Sequence, residues 1–157
     1  MKIALICVLI ALVMTIALSV SNQYIEKCDF FNNLKLFLET FKINISFKQE
    51  KVKEFLLKLK PKHQFKVFID EYISYLETNN INLNKIQILD AEEKLELENI
   101  VKNLGKHDVK NELEQLSAFL IEVELKLAKA KEDKTKISPL IIKLSLLFAI
   151  GLSIILI

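Results

Sequence analysis

Gly105 and Lys106 stand side by side, and a Gly-Lys pair closes the loop that cradles phosphate in many nucleotide-binding enzymes. That loop needs an earlier glycine five positions back and a Ser or Thr after the lysine. The glycines let backbone N–H groups wrap phosphate, and the hydroxyl reaches magnesium. Here the earlier position is Ile100 and the following residue is His107, so both requirements fail. His63 and His107 each lie beside a turn former, Pro61 and Gly105, and read as solvated turn residues. Cys7 and Cys28 have no spacing suited to a metal or a disulfide framework and read as small reduced residues. Glu92, Glu93, Glu96 and Glu98 read as a solvated helix face. A nucleophile, a base and an oxyanion donor do not converge anywhere in this pattern. The chain therefore reads as non-enzymatic, with no metal or cofactor.

Charge narrows the partners. All 22 basic residues are lysines, against 20 acidic ones, for a net charge of +2. Without arginine, planar bidentate recognition of carboxylate or phosphate is lost. So small an excess carries no footprint for nucleic acid.

The elements that position these residues begin and end in apolar stretches. Ile3–Val20 carries no charge, and Pro139–Ile157 carries only Lys143. About 20 apolar residues cross the hydrocarbon core as a helix. Both stretches approach that length. Lys143 lies about one turn in, where its stem can snorkel to the interface, and Pro139 suits a first-turn position or a kink. The sequence thus predicts a transmembrane helix over 1–21, a helical domain over 22–136 and a second transmembrane helix over 137–157. A secretory signal is the rival for the first stretch, given Lys2, the apolar run and small residues at Ser19 and Ser21. It would leave an extracytoplasmic domain with a C-terminal anchor. The lysines favour retention: Lys27, Lys35, Lys126, Lys129, Lys131, Lys134 and Lys136 flank the inner ends of the two stretches, and positive charge stays cytoplasmic. The domain is therefore expected in the cytosol, with Lys129, Lys131, Lys134, Lys136 and Lys143 at the membrane interface.

Residues 22–136 hold one glycine and one proline, too little punctuation for a β fold. From Asn22 to about Phe47, Ile25, Cys28, Phe31, Leu34, Leu38 and Phe41 recur at helical spacing. A second helical pattern runs from Gln49 to Lys60, and Pro61 breaks it. A third covers Gln64–Thr78. Asn79 to Leu89 reads as a loop with one short helix. Asp90 and Glu93 have capping-box spacing ahead of Leu97, Ile100, Val101 and Leu104. The last helix repeats Val109, Leu113, Leu116, Leu120, Val123, Leu127 and Ala130 in alternating steps of four and three, a coiled-coil-like seam. Ile121 and Leu125 widen the apolar surface, which predicts packing against more than one neighbour. The fold class is all-α, an antiparallel helical bundle of about six helices between two transmembrane helices.

The Gly-Lys pair now has a local explanation. Leu104 closes one helix, Gly105 suits a left-handed C-cap, and Asp108 can cap the next helix and favour its positive end. Leu104, Gly105 and Asp108 form a structural corner.

This layout resembles the stage III sporulation protein AB family of endospore-forming bacteria. The resemblance rests on the Leu104-Gly105-Lys106-His107-Asp108 corner, a weak counterpart of an upstream family motif at Asn44–Phe47, the long final helix and the two apolar ends, and it covers nearly the whole chain. The chain departs from the family pattern at Ile100-Val101, where Phe-Gly is frequent, and at Glu112, where glutamine is frequent. The T-P-L often found after the first helix is missing. The resemblance implies a domain similar to the cytoplasmic domain of type II secretion system F proteins, an antiparallel six-helix bundle. It also implies a place in the mother cell membrane around the forespore, in the complex that joins the two cells, with other stage III sporulation proteins as partners. Among these a motor ATPase, stage III sporulation protein AA, is the expected cytosolic one.

Two non-enzymatic roles follow. One is a membrane-anchored assembly platform that docks the ATPase. The alternative is a bundle that interacts with membrane lipid. Lys48–Lys66 holds seven lysines against two glutamates among apolar residues, and such a stretch can lie on anionic headgroups. Lys51, Lys53, Lys58, Lys60 and Lys62 are the candidate partner or lipid surface, with a solvated helix pair as the plainer reading.

Overall fold

The computed structural model describes residues 2–47, 52–106 and 108–156. Its elements are α1 (Lys2–Phe47), α2 (Val52–Lys58), α3 (His63–Thr78), a 3₁₀ turn (Leu83–Lys85), α4 (Ala91–Asn103) and α5 (Val109–Leu156). The described residues contain five α-helices and that turn, and no strand, where sequence reading expected about six helices. The chain divides into two compact units, one of Met1–Cys28 with Ala128–Ile157 and the other of Asp29–Leu127. Both α1 and α5 contribute to each unit. α1 and α5 each run without a break past residues 21 and 137. Pro139 lies inside α5 rather than in its first turn.

In the unit of residues 29–127 an aromatic cluster forms the centre. Phe30, Phe37 and Phe41 recur on one side of α1 and are nearly inaccessible. Phe55 of α2 lies 5.8 Å from Phe37 and 5.4 Å from Phe41, ring centre to ring centre. Phe65 and Phe68 of α3 lie 5.8 and 6.0 Å from Phe30, edge to face. Such ring pairs add about 0.5–1.5 kcal/mol each beyond their buried area. Leu97, Ile100 and Val101 of α4 and Leu116, Phe119 and Val123 of α5 complete the core.

Local chemistry sets the helix ends. Pro61 separates α2 from α3. Asn79 stops α3 with φ 57°, and its N–H donates to the Tyr75 carbonyl at 2.8 Å. Asparagine tolerates this left-handed conformation because its short amide bonds locally. Asn82 accepts a hydrogen bond from the Asn84 N–H at 3.1 Å, so the asparagine-rich stretch holds a 3₁₀ turn instead of another α-helix. Asp90 and Glu93 form the expected capping box: Asp90 Oδ1 accepts from the Glu93 N–H at 2.9 Å, and Glu93 Oε2 accepts from the Asp90 N–H at 3.0 Å.

Two side-chain bonds fix the register of α1 on α5 in this unit. Lys35 meets Glu124 at 2.7 Å, and the Lys42 ammonium donates to Ser117 Oγ at 2.8 Å. Residue numbers rise along one helix as they fall along the other, so this pair is antiparallel. Leu116, Val123 and Leu127 of the seam are buried, but Val109 is exposed. Ile121 and Leu125 are 61 % and 68 % exposed, which corrects the expectation that they pack against a further neighbour within the chain. Five residues beyond Leu116, Ile121 is turned about 140° from the buried stripe at 100° per residue.

The other unit pairs the apolar stretches. Ser21 Oγ and Ser138 Oγ share a buried hydrogen bond of 2.5 Å. Ile6, Ile10 and Val13 line one small pocket with Ala149, Leu152 and Ser153. The early part of α1 therefore runs antiparallel to the late part of α5. Ala17 and Ala149 are buried, and small residues of this kind let helix backbones approach. The opposite faces are apolar and open: Val8 is 64 %, Phe148 60 % and Ile154 72 % exposed. Both helices contain stretches long and apolar enough to cross a membrane. Exposed apolar side chains in this number on the paired stretches fit hydrocarbon far better than water.

Candidate functional site

The corner is built from α4, α5 and the start of α2. Leu104 is buried, and its N–H donates to the Ile100 carbonyl at 2.9 Å. Gly105 follows with φ 80°. Its N–H leaves the helix-capping pattern and donates to Glu112 Oε1 at 2.6 Å. A Cβ on Gly105 would lie 2.5 Å from Val52 Cγ2 of α2. Glycine is therefore required twice, for its backbone angle and for the room beside it. Asp108 precedes α5, and its carbonyl accepts from the Glu112 N–H at 2.9 Å. Its carboxylate takes a hydrogen bond from the Asn111 side-chain amide. Lys106 reaches the Tyr75 hydroxyl at 3.4 Å. His107 lies outside the described residues.

Sequence reading missed the role of Glu112, which is 2 % exposed. The available signal was a carboxylate one helical turn before Leu116, on the apolar side of α5. Tyr72 stands nearby. Its ring is fully buried and its hydroxyl has no hydrogen-bond partner among the described residues. Burial, then the charge of Glu112 and the neighbouring Tyr75, push that hydroxyl well above the usual tyrosine range. Tyr72 stays protonated.

The carboxylates of α4 are more engaged than a solvated face. Glu92 is exposed, but Glu93 is 7 % exposed in its capping box. Glu96 pairs with Lys126 at 2.9 Å, and Glu98 pairs with Lys102. Burial works against the Lys126 charge, but the hydrogen bond and charge of Glu96, with Glu92 and Glu93 behind it, hold its pKa above the ordinary lysine value. These side chains edge a shallow cleft between α1, α4 and α5, with room for only about 20 Å³. Phe31, Leu34, Leu97 and Val123 line its apolar floor, with Glu96, Glu122 and Lys126 at its rim.

The candidate surface lysines fall into two groups. Lys53 pairs with Glu77 at 2.7 Å, and that hydrogen bond holds the Glu77 carboxyl below its usual range. Lys58, Lys60 and Lys62 are exposed on and after α2. Lys51 lies outside the described residues. On α5, Lys129 and Lys131 are exposed, Lys134 is half-buried, Lys136 pairs with Glu132 at 2.8 Å, and Lys143 is exposed. Cys7 is an exposed free thiol and Cys28 a buried one. His63 is exposed at the start of α3 with φ 49°. Among the described residues no group of three or more His, Cys, Asp or Glu is placed to hold a metal.

A family model described as stage III sporulation protein AB matches residues 2–157. No curated protein and no solved structure matches the chain.

Proposed function

Because the chain belongs to the stage III sporulation protein AB family, we propose that it is a membrane-anchored, non-enzymatic platform of the stage III sporulation complex. Membership implies a part in that complex. The observation that carries the platform reading is the antiparallel pairing of the apolar helices through Ser21 and Ser138. Two paired spans return the chain to the side it left, so residues 29–127 lie on one face of the bilayer. The lysines at the inner ends of the pair support the cytosol as that face. Cleavage at a secretory signal near Ser19 or Ser21 would cut α1 within a continuous helix and remove one partner of the clasp. This supports retention of both segments in the mother cell membrane around the forespore.

The cytosolic unit then serves as a docking surface, and a motor ATPase like stage III sporulation protein AA is its partner. Lys129, Lys131, Lys134, Lys136 and Lys143 lie at headgroup level, where each basic side chain near anionic lipid contributes about 1 kcal/mol. The test is recruitment of the ATPase to membranes of cells with and without this protein, together with pull-down by the full chain in detergent. Recruitment and capture that both depend on this protein are expected. Equal recruitment without it, and no capture, would remove the docking role. Thr40, exposed on α1, reports the topology. As Thr40→Cys in a chain lacking Cys7 and Cys28, it should resist an impermeant thiol reagent in intact cells.

A further inference from the structure

Lys35 and Lys42 of α1 meet Glu124 and Ser117 of α5 across one seam. On both helices the residue before each contact belongs to the core: Leu34 and Phe41 on α1, Val123 and Leu116 on α5. The residue after each contact lies about 100° beyond it, turned away from the core. These are Leu36 and Ile43, 52 % and 60 % exposed, and Leu125 and Ala118, also exposed. Ile121 lies on the same side of α5 and is exposed. Neighbouring helices that share a core on one side present their opposite sides together. Leu36, Ile43, Ile121 and Leu125 therefore stand on one outer face of the unit of residues 29–127. A single exposed apolar residue is ordinary, but a group gathered on one face marks an interaction site.

The two bonds of the seam also set levels along the antiparallel pair. Leu36 stands level with Val123, and Ile43 with Leu116. A two-fold axis along the helices lays α1 of one copy over α5 of the other at the same level. Leu36 then falls between Ile121 and Leu125 of the second copy, and Ile43 falls beside its small Ala118. Large side chains thus meet a gap or a small residue. An axis across the helices that stacks Leu36 on Ile43 would set Leu125 against the exposed Glu114. Along the seam Lys35 and Lys42 stand with Glu39 and Glu124, so these charges balance and the seam does not repel its own copy.

We propose that this face pairs with the same face of a second copy of this chain, α1 of each on α5 of the other. The contact is isologous, so it closes at two copies. Its size points to the same occupant. Two helices about 10 Å apart, over about 14 Å of length, offer a few hundred Å², short of the roughly 800 Å² per partner of a stable free-standing complex. Such a face holds a partner that is already kept close. Copies confined to one bilayer are kept so, because confinement raises their effective concentration. In this the inference rests on the membrane anchoring proposed above. It is independent of ATPase docking.

The test uses the full chain, with Cys7 and Cys28 changed to Ser, in membranes of a host without the sporulation complex, so that no other component bridges the copies. One tagged copy carries Leu36→Cys and a differently tagged copy carries Leu125→Cys. Leu57→Cys with Leu95→Cys is the control, since both positions are exposed but lie on α2 and α4. Oxidation should link the first pair several-fold more than the control. Ile121→Glu should lower that link several-fold while circular dichroism shows unchanged helix content. A link no stronger than the control, or one unmoved by Ile121→Glu, would overturn the proposal and leave the anchoring intact. Retention of the chain in carbonate-washed membranes scores the anchoring by itself. A chain that washes off overturns the anchoring, and the pairing with it.

Discussion

The Gly105 N–H donates to Glu112 Oε1 at 2.6 Å, so a carboxylate from the first turn of α5 completes the end of α4. The bond is charge-assisted and lies where Glu112 is almost fully buried. Glu112→Ala leaves a backbone donor without its partner and should cost about 1–3 kcal/mol. Glu112→Gln keeps an acceptor oxygen of the same reach and should cost clearly less. Chemical denaturation of the chain in detergent, followed by far-UV circular dichroism, gives the order. Equal losses for the two variants would show that this hydrogen bond is not what holds the corner.

Gly105→Ala meets two penalties. The positive φ strains any L side chain by about 1 kcal/mol, and contact with Val52 Cγ2 adds overpacking of about 1–3 kcal/mol. Val52→Ala in the same chain should recover the second part and leave the first. Additive losses in the double variant, measured by the same denaturation, would separate α2 from the corner.

Tyr72→Phe should leave stability unchanged or raise it by up to about 1 kcal/mol. The change deletes a buried hydroxyl that has no hydrogen-bond partner among the described residues, while the ring keeps its place beside Phe37 and Phe68. A loss above about 1 kcal/mol would mean that the hydroxyl makes a bond important to the fold.

Ser21→Cys with Ser138→Cys should form a disulfide on oxidation in membranes, because the two side-chain oxygens are in hydrogen-bond contact. Cys7 and Cys28 are removed beforehand. Ser21→Ala and Ser138→Ala should each loosen the pair, with a coupling of about 0.6 kcal/mol in a double-mutant cycle, the scale of hydrogen bonds between membrane helices. Failure of the cysteine pair to close, with both segments shown to be inserted, would rule out this register.

Much of the architecture is written in short-range patterns. Asp90 and Glu93 announce the start of α4 three residues apart, Pro61 cannot continue α2, and the charge-free run from Ile3 to Val20 has no polar face to present to water. Each signal works within a turn of helix or by composition alone, so the helical class, the breaks and the apolar ends are legible before any fold is known. The corner was half legible. Leu104-Gly105 marks a stop, but the sequence does not reveal that Glu112 takes the Gly105 N–H or that Val52 forbids a side chain there. Those facts depend on how α2, α4 and α5 meet. The same holds for Ser21 and Ser138, 117 residues apart, and for Ile121 and Leu125, whose apolar character predicts burial although the helix turns them outward. Periodicity states which residues share a face of a helix. Only packing decides what that face meets, because a contact between distant segments depends on the position of every helix between them.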